Sequence, residues 1–353
     1  MIDRQTTFSG MTASDLPATT LEPYLTKHIQ DFTGPLRLFR FKGGQSNPSY
    51  RIETPAATYV LRRKPFGTLL ASAHAIEREY RVTLALHGAG FPVAKPLHLC
   101  TDEAIIGSPF FIMEHVSGRI FWEPHAPGLS GNARAALFDE IGSTIARLHG
   151  LDIAELGLAD FGKPHGYIAR QIKRWSDQYR ASETEQIVEM DQLIGWLPGA
   201  CPADSGASLV HGDFRLDNCI IHQSEPRILA VLDWELSTVG DPLADFAYHL
   251  MQWHMPVSES GAGVGSLLDH AHEPGLPSIE SYIQRYCQLT GRTMIADLDI
   301  YLAYNFFRLA AIFQGILGRV RAGTAASTAA EAMAGQVRPL AQTAWKFARR
   351  AGA

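Results

Sequence analysis

The most informative stretch of the chain reads His211-Gly212-Asp213-Phe214-Arg215-Leu216-Asp217-Asn218. Asp213 and Asn218 stand five positions apart within it. Further on, an apolar segment at Arg227–Leu232 predicts a buried strand that leads directly into Asp233. A hard oxygen donor at the end of such a strand suits Mg²⁺. The pattern therefore predicts a carboxylate site that serves a divalent cation.

These side chains meet the requirements of phosphoryl transfer. The reaction needs a carboxylate near the acceptor hydroxyl, a metal ion on the phosphates, and cations on the developing charge. Protein kinases place a catalytic Asp and a metal-binding Asn at the spacing that separates Asp213 from Asn218. A lone His-Gly-Asp would indicate only a turn, but the two spacings together favour a kinase. His211 is predicted to be buried and to hold the loop rather than to act as a base.

Strands are predicted before this stretch, and helices dominate the remainder of the chain. The first part contains a helix at Leu21–Gln30, strands at Leu36–Phe41, Ser49–Glu53 and Thr58–Arg63, a helix at Leu70–His87, and strands at Lys95–Cys100 and Pro109–Met113. Later helices are predicted at Arg134–His149, Tyr167–Tyr179, Pro242–Trp253, Ser278–Leu289, Leu298–Arg321 and Ala325–Arg350, with loops at 198–208 and 257–277. The order predicts an α+β fold: a flexible leader at 1–22, a small antiparallel sheet with one helix at 23–116, and a larger helical lobe at 117–353.

The sequence resembles the aminoglycoside phosphotransferase and choline kinase superfamily, which has the two-lobed protein-kinase-like fold. The resemblance rests on the His-Gly-Asp…Asn motif and on Leu232-Asp233-Trp234-Glu235, a variant of the kinase Asp-Phe-Gly motif. It implies that ATP and Mg²⁺ are the cofactors, that Asp213 is the catalytic residue, and that Asn218 and Asp233 bind magnesium.

Three more residues near the motif match the superfamily. Arg215 occupies a place where kinases often put a cation that contacts the transferred phosphate. Asp241 and Asp245 also match, and we interpret both as mainly structural residues that hydrogen-bond the catalytic loop.

A nucleotide site is predicted in the first lobe. The turn Gly43-Gly44-Gln45-Ser46-Asn47 lies between the first two predicted strands, where glycines let backbone N–H groups approach phosphates. Kinases carry a lysine on the third strand, whereas this chain places Arg62 there, with Lys64 on the same strand face as the alternative. Arg62 could clamp phosphate in a bidentate manner. Arg63 is predicted to be solvated.

Two further predictions concern the partner of Arg62 and the adenine pocket. A helix glutamate normally pairs with the third-strand cation, and we favour Glu79, with Glu77 at the surface. The resemblance to kinases makes Met113 the residue at the back of the adenine pocket, with Glu114 to Val116 supplying backbone groups. The alternative is that this segment is ordinary core.

Two strings indicate a branch within the superfamily. Gly166–Trp175 and Phe306–Arg319 resemble the kinase-like domains of acyl-CoA dehydrogenase family members 10 and 11. In that branch the implied acceptor is a hydroxyacyl-CoA. The cations Arg170, Arg174 and Arg308 are then candidates for contact with CoA phosphates or a carboxylate. Internal pairing of Arg308 and a solvated basic helix face are the alternatives.

Composition narrows the remaining function classes. A formal net charge of -5 disfavours general nucleic-acid binding. The four cysteines form no CxxC pair, so zinc and disulfide scaffolds are not expected. No secretion signal or membrane span is predicted, and we expect a soluble cytoplasmic protein of unknown oligomeric state.

Two classes of function remain open. The leading hypothesis is an enzyme that phosphorylates a hydroxyl of a small metabolite, either a hydroxyacyl thioester or else an amino alcohol, sugar or antibiotic. The second is a non-catalytic module that binds nucleotide or acyl-CoA. The intact Asp213, Asn218 and Asp233 argue against this module, while the arginine at position 62 leaves room for it. A metal-dependent hydrolase explains the β-rich lobe and the Gly-Gly turn poorly.

Overall fold

A computed structural model of the chain describes residues 11–13, 16–41, 47–65, 76–256, 265–321 and 335–353. The chain forms two compact units. The first extends to Ile120 and also contains Leu156–Leu158 and Asn218–Ser237, and the second contains the remaining residues. The boundary thus differs from the predicted one at 116/117, because the segment that carries Asn218 and Asp233 packs with the N-terminal sheet.

A six-stranded antiparallel sheet forms the first unit. Its strands are β1 (Met11–Ala13), β2 (Arg37–Phe41), β3 (Ser49–Glu53), β4 (Thr58–Arg63), β5 (Pro96–Cys100) and β6 (Phe110–Glu114). Their spatial order is β1-β2-β3-β4-β6-β5. Alternate residues of β3 and β4 are buried, since one face of each strand is covered. The strand that carries Arg62 is therefore in the interior of the sheet.

The predicted flexible leader at 1–22 is wrong for its described residues. Residues 11–13 pair with β2, and the helix α1 (Ala18–His28) begins within the supposed leader. Leu16, Leu21 and Leu25 are buried in the hydrophobic core of the first unit. These leucines hold the segment in place by removing apolar surface from water.

The helix α2 (Ile76–Gly88) follows β4, and the start of the predicted helix at Leu70 lies outside the described residues. In the sequence Ile76, Tyr80 and Leu84 recur at a four-residue step, which predicts one buried apolar face, but Leu84 is 48% exposed. The buried face instead contains Ile76, Glu79, Val82, Thr83 and Leu86. The helix is rotated relative to the predicted face, and this rotation turns Glu79 inward.

A short hairpin completes the first unit. The strand Cys219–Ile221 pairs with Ile228–Val231, and Cys219 lies opposite Val231. The amide of Val231 donates to the carbonyl oxygen of Pro92 at 2.8 Å, and the ring of Trp234 packs edge-on against Phe91. These contacts fix the hairpin to the segment that follows α2.

Helices dominate the second unit. They are α3 (Gly131–His149), α4 (Tyr167–Ser182), α5 (Val188–Ala200), α6 (Pro242–Leu250), α7 (Ile279–Thr290), α8 (Leu298–Arg321) and α9 (Val337–Arg350). The helix α5 was not predicted, and its last residues occupy the start of the predicted loop at 198–208. The short strands Ser208–Val210 and Thr238–Gly240 pair antiparallel beside α3 and α6.

The longest helix, α8, packs against α4, α6 and α9. Its segment Leu298–Arg319 is long and apolar enough to cross a bilayer by length and composition, which the sequence analysis did not recognise. However, 78% of its most apolar window is buried within the protein. Its apolar residues thus belong to the core of the second unit.

Candidate active site

The catalytic-loop motif lies in the second unit, directly after the strand Ser208–Val210. Gly212 has a φ of 85°, a left-handed conformation that glycine adopts without steric cost. His211 is fully buried, and its Nδ1 accepts a hydrogen bond from the amide of Asp213 at 3.1 Å. An Nδ1 that accepts carries no proton. His211 therefore holds the loop, as predicted.

Asp245, near the start of α6, also fixes the catalytic loop. Its two carboxylate oxygens accept hydrogen bonds from the amides of His211 and Gly212, each at 2.8 Å. Burial alone would raise the pKa of Asp245, but the hydrogen bond from His149 and the two backbone amides hold that pKa below its usual range. The interpretation of Asp245 as a residue that supports the loop agrees with this geometry.

Asp241 has a different role from the one expected. Its carboxylate caps α6 by accepting from the amide of Leu243 at 2.9 Å, and it also accepts from the hydroxyl of Tyr301 at 2.9 Å. Ser205 donates to it as well. Asp241 is structural, but its hydrogen bonds fix the helix terminus and the preceding segment, because it is the N-cap residue.

Tyr248 and Arg215 both contact the carboxylate of Asp213. The hydroxyl of Tyr248 donates to Oδ1 at 2.6 Å, and Nε of Arg215 lies 3.1 Å from the same atom. Arg215 also pairs with Asp217 at 3.0 Å. Burial, and then the Asp213 carboxylate, raise the pKa of Tyr248, so its proton stays on the hydroxyl.

Tyr248 is a site residue that the sequence analysis missed. A signal was available, because Tyr248 follows Asp245 by three positions and such residues share one face of a helix. The face of α6 that supports the loop through Asp245 therefore also presents the Tyr248 hydroxyl to Asp213.

Arg308 of α8 contacts the same loop from another direction. Its Nη2 donates to the carbonyl oxygen of Gly212 at 2.7 Å, and its Cζ lies 5.0 Å from the centre of the Tyr248 ring. The side chain is buried. The alternative to a substrate role was an internal ion pair, and none is present among the described residues, where a backbone carbonyl and aromatic rings surround the guanidinium instead. The substrate role of Arg308 stays a prediction.

Arg170 and Arg174, the other two candidate substrate residues, lie on α4. Arg170 is exposed and donates to the carbonyl oxygens of Lys163 and His165, so it hydrogen-bonds to the segment that precedes α4. Arg174 is exposed and its Cζ lies 5.1 Å from the ring of Trp175. The geometry thus gives Arg170 a structural contact, while the substrate role of both residues stays a prediction.

The predicted metal ligands lie in the first unit, at one end of the hairpin. The amide of Leu232 donates to the carbonyl oxygen of Asn218 at 2.8 Å, so Asn218 and Asp233 flank the same end of the paired strands. Asp233 has a φ of 65°, which is uncommon for a residue with a side chain. Such backbone strain persists only where surrounding contacts fix it, and functional sites often contain it.

Arg62 lies among three carboxylates of the first unit. Its Nε is 2.8 Å from Glu79, and its Nη2 is 2.6 Å from Asp233 and 3.6 Å from Glu235. The structure thus pairs Arg62 with Glu79, the glutamate that we favoured, while Glu77 is exposed. Burial raises the pKa of Glu79, and the charge of Arg62 opposes that rise. A single guanidinium therefore links the third strand, α2 and the residue predicted to bind magnesium.

The prediction that Arg63 is solvated is wrong. Arg63 is 3% exposed, and its Nε and Nη2 each lie 3.3 Å from the hydroxyl of Tyr50. Its Nη1 donates to the carbonyl oxygen of Lys64. Alternation along β4 places Arg63 on the covered face, opposite Arg62, because successive strand residues point to opposite sides.

The predicted phosphate turn is described only at its last residue. Gly43, Gly44, Gln45 and Ser46 lie outside the described residues. Asn47 is buried, and the nitrogen of its side-chain amide, Nδ2, lies 3.4 Å from Glu79 and 3.5 Å from Glu235. Asn47 therefore joins the polar network around Arg62.

The predicted adenine segment forms the end of β6. Met113 is half-buried and lies opposite Val60 of β4. The amide of Glu114 donates to the carbonyl oxygen of Lys95 at 2.9 Å, and the amide of His115 donates to Thr58. These two N–H groups thus already donate to backbone carbonyl oxygens. A role in adenine binding stays a prediction for Met113 and Val116, and for the carbonyl group of Glu114.

The donors around Asp233 fit a magnesium ion. Asp233 and Glu235 carry carboxylate oxygens, and Asn218, whose backbone flanks the same end of the hairpin, carries an amide oxygen. Such oxygens are the hard ligands that Mg²⁺ prefers. In the structure a cation already lies against Asp233, since Nη2 of Arg62 is 2.6 Å from Oδ1. The position therefore favours positive charge.

The fold of the chain is the kinase-like fold. Solved structures agree on the fold. A crystal structure of a proposed aminoglycoside phosphotransferase from Ralstonia eutropha is 47% identical, with a TM-score of 0.84, and covers 95% of this chain and 99% of its own. Spectinomycin phosphotransferase, solved with ADP and spectinomycin, is 11% identical, with a TM-score of 0.62, and covers 95% of this chain and all of its own.

The chain belongs to the phosphotransferase enzyme family (APH), whose model matches residues 38–282. It is 44% identical to acyl-CoA dehydrogenase family member 10 of Mus musculus, over 96% of this chain and 32% of that protein. It is 40% identical to member 11 of Homo sapiens, over 94% of this chain and 43% of that protein. The chain thus spans only 32% and 43% of the length of these two relatives, and its family is that of the phosphotransferase enzymes.

Proposed function

We propose that the protein transfers the γ-phosphate of ATP, with Mg²⁺, to a hydroxyl of a small metabolite, and that a hydroxyacyl-CoA is the leading acceptor. The observation that carries the proposal is the fixed carboxylate of Asp213, which Tyr248 and Arg215 contact at 2.6 and 3.1 Å. A carboxylate held in one orientation can accept a proton at a defined atom. The likeness to acyl-CoA dehydrogenase family members supports the choice of acceptor.

Each bond and proton in this proposed reaction can be accounted for. The acceptor hydroxyl forms a bond to the γ-phosphorus, the bond from that phosphorus to the bridging oxygen breaks, and ADP leaves. The hydroxyl proton passes to the carboxylate of Asp213. Asn218 and Asp233 would hold Mg²⁺, which supplies charge neutralisation on the phosphates when bound. Arg215 orients Asp213 through their contact at 3.1 Å.

A direct assay tests this function. ADP formation with Mg·ATP is measured over a panel of hydroxyacyl-CoAs, choline, sugars and aminoglycosides, with the wild type, Asp213→Asn and the exposed control Asp269→Asn. We expect acceptor-dependent ADP formation that Asp213→Asn lowers by at least about a hundredfold while nucleotide binding is retained. Asp269→Asn should match the wild type. Equal rates for the wild type and Asp213→Asn would exclude the proposal.

One observation favours a second candidate function. Arg62 lies 2.6 Å from Asp233, where a metal ion would have to compete with the guanidinium. A chain in which the guanidinium keeps that place would bind nucleotide or acyl-CoA without turnover. Tight ATP binding that is independent of Mg²⁺, with no turnover of any alcohol in the panel, would support this binding module.

A further inference from the structure

Two histidines of the second unit stack face to face, one from the segment that precedes α3 and one from the segment that precedes α7. The ring centres of His125 and His270 are 3.7 Å apart, and the ring planes are 8° from parallel. Nδ1 of His270 lies 2.7 Å from Oε1 of Glu273, and the amide of Glu273 donates to the carbonyl oxygen of His270 at 2.8 Å. This turn places a histidine and a carboxylate together beside the second histidine.

The ring of His125 is buried without a short hydrogen bond. Its side chain is 9% exposed, and Nδ1 has no hydrogen-bond partner among the described residues. Its Nε2 lies 3.7 Å from Oε2 of Glu123 and 3.9 Å from Oε1 of Glu273. Both distances exceed the length of a hydrogen bond. They match two ligands of one ion, because donor atoms at about 2.0–2.2 Å from an ion stand about 3–4 Å from each other.

Three of these side chains are close enough to share an ion. One ligand atom from each of His125, His270 and Glu273 lies within 4.8 Å of the other two. The lone pair of an imidazole nitrogen lies in the ring plane, so the ring of His270 has to turn out of the stack to bind. The side chains of His270 and Glu273 are 33% and 24% exposed, which permits this rotation and lets an ion enter from solvent.

Arg134 positions two of the three residues. Its Nη2 is 2.7 Å from Oε2 of Glu273, and its Nε donates to the carbonyl oxygen of His125 at 2.8 Å. Because Arg134 holds Oε2, the other oxygen of Glu273 stays available to the histidines. Residues that orient a ligand in this way are typical of metal sites. The carboxylate of Glu123 offsets the positive charge of Arg134, so the cluster still attracts a cation.

We propose that His125, His270 and Glu273 bind a divalent transition metal ion such as Zn²⁺, and that the ion joins the segment before α3 to the segment before α7. Imidazole nitrogen suits such ions, whereas Mg²⁺ takes oxygen ligands. The site therefore differs in kind from the one proposed at Asp233, where the donors are all oxygens. A structural zinc ion takes four ligands, and Glu123 is near enough to His125 to supply the fourth.

A metal titration of the full chain tests this site. The protein is freed of metal with a chelator and titrated with Zn²⁺ by calorimetry in excess Mg²⁺, which fills sites made of oxygen ligands. The proteins are the wild type, His125→Gln, His270→Gln and the control His272→Gln, which changes an exposed histidine of the same segment. Thermal unfolding of each protein with and without Zn²⁺ is the second measurement.

We expect one Zn²⁺ to bind per chain in the wild type and in His272→Gln. Even residues that only orient a ligand contribute about 10- to 100-fold to metal affinity, so the loss of a ligand in His270→Gln should weaken binding by at least about a hundredfold. An ion that binds only the folded chain raises its stability. Zn²⁺ should therefore raise the midpoint of thermal unfolding in the wild type and in His272→Gln, but not in His270→Gln.

Other results overturn the proposal. They are the absence of stoichiometric Zn²⁺ binding in excess Mg²⁺, equal affinity in the wild type and His270→Gln, and binding that leaves the unfolding midpoint unchanged. Equal losses in His270→Gln and His272→Gln also refute it, since Zn²⁺ would then bind exposed histidines among the 14 in the chain. If the buried His125→Gln variant does not fold, His270→Gln still decides. Because ADP formation is not measured, either result leaves the proposed function to its own assay.

Discussion

The hydroxyl of Tyr248 donates a hydrogen bond of 2.6 Å to Oδ1 of Asp213, from a helix face that also supports the loop through Asp245. Hydrogen bonds to a charged group contribute about 1.5–3 kcal/mol. Because the bond orients the proposed base, Tyr248→Phe should lower kcat by about tenfold or more while the KM for ATP changes by less than about twofold.

Steady-state kinetics with a saturating acceptor would check this prediction. Tyr24→Phe is a matched control, because the Tyr24 hydroxyl also makes a 2.8 Å hydrogen bond, to His98 in the first unit. Comparable losses of kcat in both variants would indicate a general loss of stability rather than a positioning role for Tyr248.

The contacts of Arg62 with Glu79 predict strong energetic coupling. The two side chains are 12% and 4% exposed, so removing Arg62 leaves the Glu79 carboxylate buried without its cation. Neutralising Glu79 still leaves Arg62 in contact with Asp233 and Glu235. Arg62→Met should lower the free energy of unfolding by about 3–5 kcal/mol, and Glu79→Gln should lower it by less. The double variant should lose clearly less than the sum, because it also removes the buried carboxylate that Arg62→Met alone leaves without its cation.

Urea unfolding of the four proteins measures this coupling. The exposed pair Arg285 and Asp139, at 2.7 Å, provides a comparison for which changes of under about 1 kcal/mol are expected. Strict additivity of the Arg62 and Glu79 changes would contradict the buried pairing.

His249 predicts a stability loss in mild acid. Its Nδ1 lies 3.2 Å from the carbonyl oxygen of Phe214, so this nitrogen carries the proton and Nε2 accepts from Tyr282. Burial lowers the pKa of His249 from 6.5 to about 4. Between these values the unfolded chain binds more protons than the folded chain. The free energy of unfolding should therefore fall as the pH drops from about 6.5 to about 4, by roughly 3 kcal/mol from this residue.

Chemical unfolding at several pH values tests this effect. His249→Asn keeps an N–H near the Nδ1 position and does not titrate, so its unfolding free energy should depend less on pH in that window. His165→Asn, at an exposed histidine, should keep the slope of the wild type. An unchanged slope in His249→Asn would show that the buried histidine does not cause the acid sensitivity.

The burial of α1 predicts that the region resembling a leader is needed for stability. Leu21 is fully buried in the core of the first unit. Leu21→Ala should therefore lower the free energy of unfolding by about 2–5 kcal/mol. Thermal or urea unfolding is the measurement, with Leu84→Ala as a control at a leucine that is 48% exposed. A small change in Leu21→Ala would mean that α1 is not part of the cooperative core.

Several features followed from the sequence because they depend on local geometry. The turn that carries Asp213 and the strand that leads into Asp233 lie within short segments of the chain. Backbone pairing fixes such arrangements once the segment folds. The kinase-like fold and the membership in the phosphotransferase family were confirmed.

Other features depended on which face of a helix or strand is buried, and the spacing of residues along the sequence did not reveal that face. The apolar period of α2 pointed to Leu84, yet the helix buries the face that contains Glu79, because that carboxylate meets Arg62. Arg63 was predicted to be solvated, although the alternation of side chains along β4 places it on the covered face of the sheet, against Tyr50. A polar side chain gives no signal of burial until its partner is known, and the partner lies elsewhere in the chain.

The sequence by itself determined the class of fold, the family and the loop that carries Asp213, since motif spacing and strand pairing are properties of short segments. Only the tertiary structure decided that Tyr248 and Arg308 donate hydrogen bonds to that loop. Each lies on a helix whose rotation is set by the packing of many distant side chains. Interactions between distant residues form only when these helix faces pack together, and no local period in the sequence encodes which donor will be left without a partner.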